Sequence, residues 1–371
     1  MLQNARVEID LSAIRHNLLS IRNRAGAHTS LLLPIKADAY GHGAVPVARY
    51  VERRGLADMF GVSSPAEGAE LRDAGIRLPI LVLGLILPDA ESLEAILRYS
   101  LTQTVADESL AVALAEEALR RGTQAAVHLK IDTGMGRIGC TPERAPEIAA
   151  AIAGLKGARL EGVCTHFPVS DEPASPFTSR QIALFKSAVT RIRQKGIDTG
   201  LVHAANSAAI FNLPDSFFSM IRPGIAAYGY NPAPGCPGGM NIIPSMTLKS
   251  RVMFVKRVAA GTPLSYGLTH TTARETTIAT VPVGYGDGYS RALSNRGKVI
   301  IRGKTYPLVG RVCMDQILVD MGDDFCEAGE DVVLFGRDTI TAETIADMIG
   351  TIPYEVTCGI SKRVPRVYIG N

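Results

Sequence analysis

Short apolar runs alternate with stretches in which apolar residues recur every three or four positions, over about the first 240 residues. The runs Leu31–Ile35, Met59–Val62, Ile80–Gly84, Thr102–Ala106, Ala126–Ile131, Gly162–His166, Leu201–Ala204 and Ser219–Ile221 have the length and composition of buried strands. Between them lie helical patterns such as Ala111–Arg121 and Gln181–Lys195; in the latter Ile182, Phe185, Val189 and Ile192 share one stripe. Eight βα units predict an α/β architecture, a (β/α)8 barrel spanning residues 1–240. An open doubly wound sheet competes, but no GxGxxG turn follows an early strand, so dinucleotide binding lacks its main signal.

The texture changes after Asn231–Pro244, a segment rich in proline and glycine (Pro232, Pro234, Gly235, Pro237, Gly238, Gly239, Pro244) that reads as a linker. Beyond it Met246–Val258, Thr276–Val283, Lys298–Ile301, Gln316–Met321 and Asp331–Phe335 are β-like, with one helix near Thr341–Ile349. A mostly β C-terminal domain is expected over 241–371, with the first few residues of the chain available to pair with it.

Composition narrows the function classes. At 371 residues, 46% hydrophobic and 20% charged, the chain has material for two packed cores. A net charge of +3 without a basic stripe gives no electrostatic support for nucleic acid or a membrane surface as partner. The six cysteines form no CxxC pair, so neither a zinc site nor a disulfide framework is expected, and no metal. The N-terminus lacks an apolar signal core, and the longest apolar stretch, Leu78–Leu87, is broken by Pro79 and Gly84; a reduced cytoplasmic setting is expected.

In a barrel, chemistry gathers at the C-terminal strand ends. Lys36 stands there, delivered by the apolar run Leu31–Ile35 to a polar loop, Ala37-Asp38-Ala39-Tyr40-Gly41-His42-Gly43. A buried amine has its charged form disfavoured and becomes a nucleophile, the setting for a Schiff base. The plain alternative is a lysine that snorkels to the rim. Lys130 and Asp132, His166, Asn206 with Ser207, and Arg222 occupy the ends of other strands, and five such positions on one face are hard to dismiss together. Thr133-Gly134-Met135-Gly136-Arg137 brings an arginine to the mouth, and Ser207 with Gly224-Ile225 suits an anion after the last two strands. A lysine beside a phosphate pocket points to a phosphorylated aldehyde, with pyridoxal 5'-phosphate the leading candidate.

The sequence resembles alanine racemases. The resemblance rests on motifs spread over nearly the whole chain: Glu8-Ile9-Asp10-Leu11, Lys36-Ala37-Asp38-Ala39-Tyr40-Gly41-His42-Gly43, Lys130-Ile131-Asp132-Thr133-Gly134-Met135-Gly136-Arg137, Thr165-His166-Phe167, His203-Ala204-Ala205-Asn206-Ser207, Arg222-Pro223-Gly224, Ser265-Tyr266-Gly267, Val283-Gly284-Tyr285, Gly310-Arg311-Val312-Cys313-Met314-Asp315 and Pro353-Tyr354-Glu355. It implies that Lys36 carries the cofactor and then serves as one base. The other would be Tyr266 of the partner subunit in a homodimer with shared active sites. A free tyrosine titrates near about 10, so work near neutrality needs roughly 4 kcal/mol of help; the implied source is a chain from Tyr266 through His166 to Arg222. Arg222 would face the pyridine nitrogen and, as a permanent donor, keep it unprotonated. Arg137 would bond the phenolic oxygen and the substrate carboxylate, with Met314 of the partner binding that carboxylate through its N–H.

Tyr40, Ser207, Tyr354 and the backbone of Gly224 and Ile225 would hold the phosphate. Lys130 is a candidate for carbamylation. Tyr285 and Tyr354 would narrow an entrance ringed by Asp171, Arg291, Arg311 and Ile352. Two positions depart from the family pattern: Pro168-Val169-Ser170 where alanine usually follows Thr165-His166-Phe167, and Gly286 where alanine is common. The implied reaction interconverts L- and D-alanine, for cell-wall peptidoglycan or for alanine catabolism. Alternatives are a racemase of another small amino acid such as serine, or a basic amino-acid decarboxylase. The latter sets an acid against the pyridine nitrogen, where this chain would set Arg222.

Overall fold

The computed structural model describes residues 5–172, 174–232 and 240–370. Met1–Asn4 and, of the expected linker, Pro234, Gly235, Pro237, Gly238 and Gly239 lie outside the described residues. After a first strand, β1 (Arg6–Asp10), eight parallel strands close into a barrel. They are β2 (Ser30–Pro34), β3 (Met59–Val62), β4 (Ile80–Val82), β5 (Thr102–Val105), β6 (Ala125–Lys130), β7 (Ala158–Cys164), β8 (Leu201–His203) and β9 (Met220–Ile221). Closure is the pairing of Ser30 with Met220 and of Leu31 with Ile221.

Strand periodicity sorts the side chains. On β2, Leu31 and Leu33 face the helical layer, whereas Leu32 joins Met59, Leu81 and Met220 in a separate apolar cluster. A strand buried on both faces reads as a continuous hydrophobic run, which is why Met59–Val62 is legible without periodicity. β7 begins four residues earlier than the apolar pattern suggests, at Ala158, because Arg159 and Glu161 mask its start. It ends at Cys164, leaving His166 in the following loop.

The helices begin at their caps rather than at their first apolar residues. Asp107 accepts from the N–H groups of Ser109 and Leu110 and starts the helix Glu108–Arg120. Ser175, followed by Pro176, starts Pro176–Gln194.

The remaining strands are β10 (Met246–Arg251), β11 (Phe254–Val258), β12 (Pro263–Leu264), β13 (His270–Thr271), β14 (Thr276–Val281), β15 (Lys298–Ile301), β16 (Lys304–Val309), β17 (Ile317–Gly322), β18 (Asp331–Phe335) and β19 (Arg366–Ile369). Nine strands form one sheet in the order β11-β14-β17-β16-β15-β18-β10-β1-β19. The single run expected over Met246–Val258 is two strands: Val252 bonds Glu330 O and Met253 bonds Thr280 O, so the chain changes partners there. β1 pairs antiparallel with β10 and parallel with β19. Its last residue, Asp10, caps the helix Leu11–Ala25 that leads into the barrel. Among the described residues no helix is long and apolar enough to cross a membrane.

Candidate active site

Lys36 follows the end of β2 by two residues, and the backbone beyond it turns left-handed. Ala37, Asp38, Ala39 and Tyr40 have φ of 51°, 55°, 54° and 55°, a conformation costing roughly 1–2 kcal/mol per non-glycine residue. Tertiary partners hold it. Glu67 accepts from the Ala37 N–H at 2.8 Å, and Asp38 accepts from the Ala44 N–H at 2.7 Å. Tyr40 is buried against Tyr228 and Tyr354, with ring centroids 5.2 and 5.9 Å away. Strain held this firmly is a mark of a functional turn.

A cavity of about 260 Å³ opens above this turn at the C-terminal end of the barrel. Its lining includes Lys36, Lys130, Arg137 and Arg222 and, among the described residues, no carboxylate. Such a chamber is built for an anion. Burial, then the charge of Arg137, pulls the Lys36 amine below its ordinary value and favours the nucleophilic form. Burial likewise lowers Lys130, whose ammonium donates to Ile131 O at 3.2 Å. Arg137 is carried on a loop folded around Asp132, which accepts from the N–H groups of Gly134 and Gly136, each at 2.9 Å.

Arg222, directly after β9, is held from several sides. Its Nη2 donates to Thr165 O and Ala204 O, both at 2.9 Å, and approaches His166 Nδ1 at 3.2 Å. Its Nη1 donates to His203 Nδ1 at 2.7 Å. An arginine N–H can only donate, so both histidines present bare Nδ1 atoms and, when neutral, carry their protons on Nε2. Burial, then the charge of Arg222, pushes both histidines well to the acid side and keeps them neutral.

Two residues beyond Arg222, the hydroxyls of Tyr40 and Ser207 converge on Gly224. A Cβ at Gly224 would stand 3.0 Å from Tyr40 Oη and 3.6 Å from Ser207 Oγ. Ser207 also accepts from the Ala226 N–H at 3.2 Å, and Ile225 opens the short turn Ile225–Tyr228. Tyr354, on the helix Pro353–Cys358 of the β domain, closes this side. Two hydroxyls converging beside a side-chain-free backbone, in a cavity lined by Lys36, Lys130, Arg137 and Arg222, fit the phosphate and aldehyde of pyridoxal phosphate.

Not every expected site residue reaches this cavity. Tyr266 is 70% exposed and Met314 52%, both on the β domain, and neither lines it. Arg311, Tyr285 and Ile352 are also absent from the lining; Asp171 and Arg291 lie in the loop after β7 and in the turn Arg291–Leu293. Tyr266, Arg311, Met314 and Tyr285 nevertheless form one assembly. Ser265 Oγ donates to Arg311 O at 2.7 Å, and the Tyr285 and Gly286 N–H groups bond Cys313 O and Met314 O. Val169 is half-buried, and its neighbour Ser170 donates to the capping residue Asn206 at 2.8 Å. Sequence reasoning passed over His203 and His128 as site residues. Their signal is position: His203 ends β8, and His128 stands two before Lys130 on the same face of β6.

Comparison with known proteins follows the same lines. Residues 9–232 match the family model described as alanine racemase, N-terminal domain, and residues 245–368 the one described as alanine racemase, C-terminal domain. An alanine racemase from Cutibacterium acnes is 47% identical over 367 residues, covering 98% of this chain and 97% of the relative. One from Desulforamulus reducens is 46% identical and covers 98% of each. The solved structure of a Clostridium difficile alanine racemase superposes with a TM-score of 0.95 at 41% identity, over 100% of this chain and 96% of that one.

Proposed function

The chain belongs to the alanine racemase family of isomerases, and on that premise we propose that it interconverts L- and D-alanine with pyridoxal 5'-phosphate, using Lys36 and a partner subunit's Tyr266 as opposed bases. The reaction would serve D-alanine supply for cell-wall peptidoglycan or alanine catabolism. Lys36 would bind the cofactor's aldehyde carbon, Tyr40, Ser207, Tyr354 and the Gly224 and Ile225 backbone its phosphate, Arg137 its phenolic oxygen and Arg222 its ring nitrogen. Bound there, the cofactor supplies the electron sink that makes an amino-acid Cα proton removable.

Racemisation needs a base on each face of that carbon. Lys36, with its lowered amine, takes or returns the proton on one face. Tyr266 does so on the other. His166, its Nδ1 engaged by Arg222, has its Nε2–H to offer the Tyr266 oxygen. Arg222 offers only donors, so it cannot take a proton from the ring nitrogen, and this favours racemisation over decarboxylation, where an acid strengthens the sink. Arg137 and the N–H of the partner subunit's Met314 would orient the substrate carboxylate. Tyr285, Tyr354, Asp171, Arg291, Arg311 and Ile352 would line the way in.

Lys130 is proposed to carry a carbamate. Its neutral amine adds to the carbon of CO₂, a C=O electron pair moves to oxygen, and the amine releases one proton. The resulting anion faces the charge of Arg137 instead of adding to it. Electron density at Nζ checks this.

The observation that carries the shared site is the exposure of Tyr266, Leu268, Tyr285, Met314 and Ile352 on the β domain, while Lys36 waits in a cavity that none of them lines. The test is complementation. Lys36→Ala and Tyr266→Ala should each be inactive; unfolded and refolded together, they should regain about a quarter of parental activity, since half the dimers are mixed and each has one intact site. No regain, with dimers formed, overturns the shared site. In D₂O the parent should convert L-alanine into D-alanine carrying deuterium at Cα. Exchange without inversion would remove Tyr266 from its role. Serine adds only a hydroxyl to the substrate, and apolar pockets reject such a change by about a hundredfold at most, so weak serine racemisation is expected.

A further inference from the structure

A string of imidazoles runs from Arg222 into the barrel and stops at a dead end. Arg222 Nη1 lies 2.7 Å from His203 Nδ1, and His203 Nε2 lies 2.8 Å from His128 Nδ1. His128 Nε2 is buried with no hydrogen-bond partner among the described residues. Both histidines are fully buried.

The hydrogen-bond directions are determined. Arginine must donate, so His203 Nδ1 is an acceptor, and neutral His203 carries its proton on Nε2. That proton points at His128 Nδ1, which must accept it. The proton of His128 is thereby forced onto Nε2, the atom with nothing to receive it. The opposite direction would make His203 accept at both nitrogens, an imidazolate. Burial and the charge of Arg222 hold both rings neutral, with His128 pushed down to about 3.

This arrangement is built at a cost. An orphaned buried N–H is unfavourable, and an apolar side chain at 128 would remove it, so packing alone does not account for a histidine. Gly162 on β7 makes room for the ring: a Cβ there would stand 2.5 Å from His128 Cε1 and 2.7 Å from each ring nitrogen.

We propose that His128 is a positioning residue for the reaction, the terminal acceptor that takes the His203 Nε2–H and so holds the ring whose Nδ1 receives Arg222, keeping Arg222 aimed at the cavity. Its catalytic consequence rests on the reading that Arg222 faces the cofactor's ring nitrogen. Without an acceptor at 128 the His203 Nε2–H is left buried and unpaired, so the ring loses the contact that fixes its orientation and the Nδ1 acceptor it offers Arg222 is no longer held in place.

The test uses the enzyme with its cofactor, labelled with ¹⁵N-histidine. Long-range ¹⁵N–¹H correlation should show His203 and His128 each bare at Nδ1 and protonated at Nε2. His128→Asn keeps an acceptor near the Nδ1 position and should stay within about threefold of the parent in kcat/KM; His128→Leu should lose about tenfold. The leucine variant should also shift the cofactor's visible absorbance and move the His203 ring ¹⁵N resonances, with its proton still on Nε2. A proton on His203 Nδ1 in the parent overturns the proposal, as does a leucine variant indistinguishable from the asparagine one. Should His128→Leu not fold, the parental tautomers still decide. The expected tautomers in a protein that binds no cofactor would support the string itself and sink the reading of the site.

Discussion

Replacing Gly224 with alanine puts a methyl group where the phosphate of the proposed cofactor has to lie. The added Cβ would be 3.0 Å from Tyr40 Oη and 3.6 Å from Ser207 Oγ, between two hydroxyls directed at the same space. An anionic oxygen bonded to both must come within about 2.7 Å of each, so the methyl competes with it for the space the two hydroxyls border. Hydrogen bonds to a charged group contribute about 1.5–3 kcal/mol each. Loss of two amounts to about 3–6 kcal/mol, or at least a hundredfold in affinity at about 1.4 kcal/mol per tenfold. Ser207→Ala, which removes one, should lose about tenfold to a hundredfold on the same scale. Cofactor-free protein would be titrated with pyridoxal 5'-phosphate and, separately, with pyridoxal, following the absorbance of the bound aldehyde. The phosphate form should lose affinity in the order Gly224→Ala, then Ser207→Ala, while pyridoxal binds parent and variants alike. Equal losses for the two ligands, or none for either, would refute the assignment of this wall to the phosphate.

Other consequences follow from buried groups and close approaches. His42 is fully buried, its ring nitrogen donating to Ala39 O and Tyr40 O at 3.0 Å, and burial pushes it down to about 4. Its folded value lies below the unfolded one, so its contribution of about 3 kcal/mol is fully present above about pH 6.5 and is lost as pH falls toward 4. His42→Leu should flatten that part of the denaturant-measured stability profile; an unchanged slope would count against a neutral His42. Gly41 has φ +83°, and a Cβ there would stand 2.1 Å from Thr357 O. Gly41→Ala should therefore cost more than about 2 kcal/mol, read as a lowered Tm, because strain and a backbone clash act together. The same variant should weaken cofactor binding by displacing the helix that carries Tyr354. If Lys130 bears a carbamate, ¹³CO₂ should give a carbamate signal that Lys130→Ala abolishes; no signal in the parent would rule it out.

Much of the architecture was legible because burial writes itself into residue type. Strands covered on both faces become unbroken runs such as Met59–Val62, and Lys298–Ile301 and Asp331–Phe335 in the β domain read as clearly. Polar residues blur the edges. Arg159 and Glu161 hid the first half of β7, and caps such as Asp107 started helices before their apolar stripes began. At the site, Lys36, Ser207 and Arg222 stood out because a barrel sends its strand ends to one face, so a polar residue after an apolar run is already located.

Sequence alone determined the succession of strands and helices and so which residues stand at strand ends, whereas closure into a barrel is decided by the pairing of β2 with β9. Only the tertiary structure decided how those residues meet. The left-handed turn through Ala37, Asp38, Ala39 and Tyr40 contains no glycine to announce it, since it is held by Glu67 and Asp38 rather than by local preference. The string Arg222–His203–His128 joins residues from β6, β8 and the end of β9 across the barrel, so it exists only once closure and register bring their inner faces together. Local propensity acts between neighbours in the chain, whereas a hydrogen bond between residues 75 positions apart is set by the packing of everything between them.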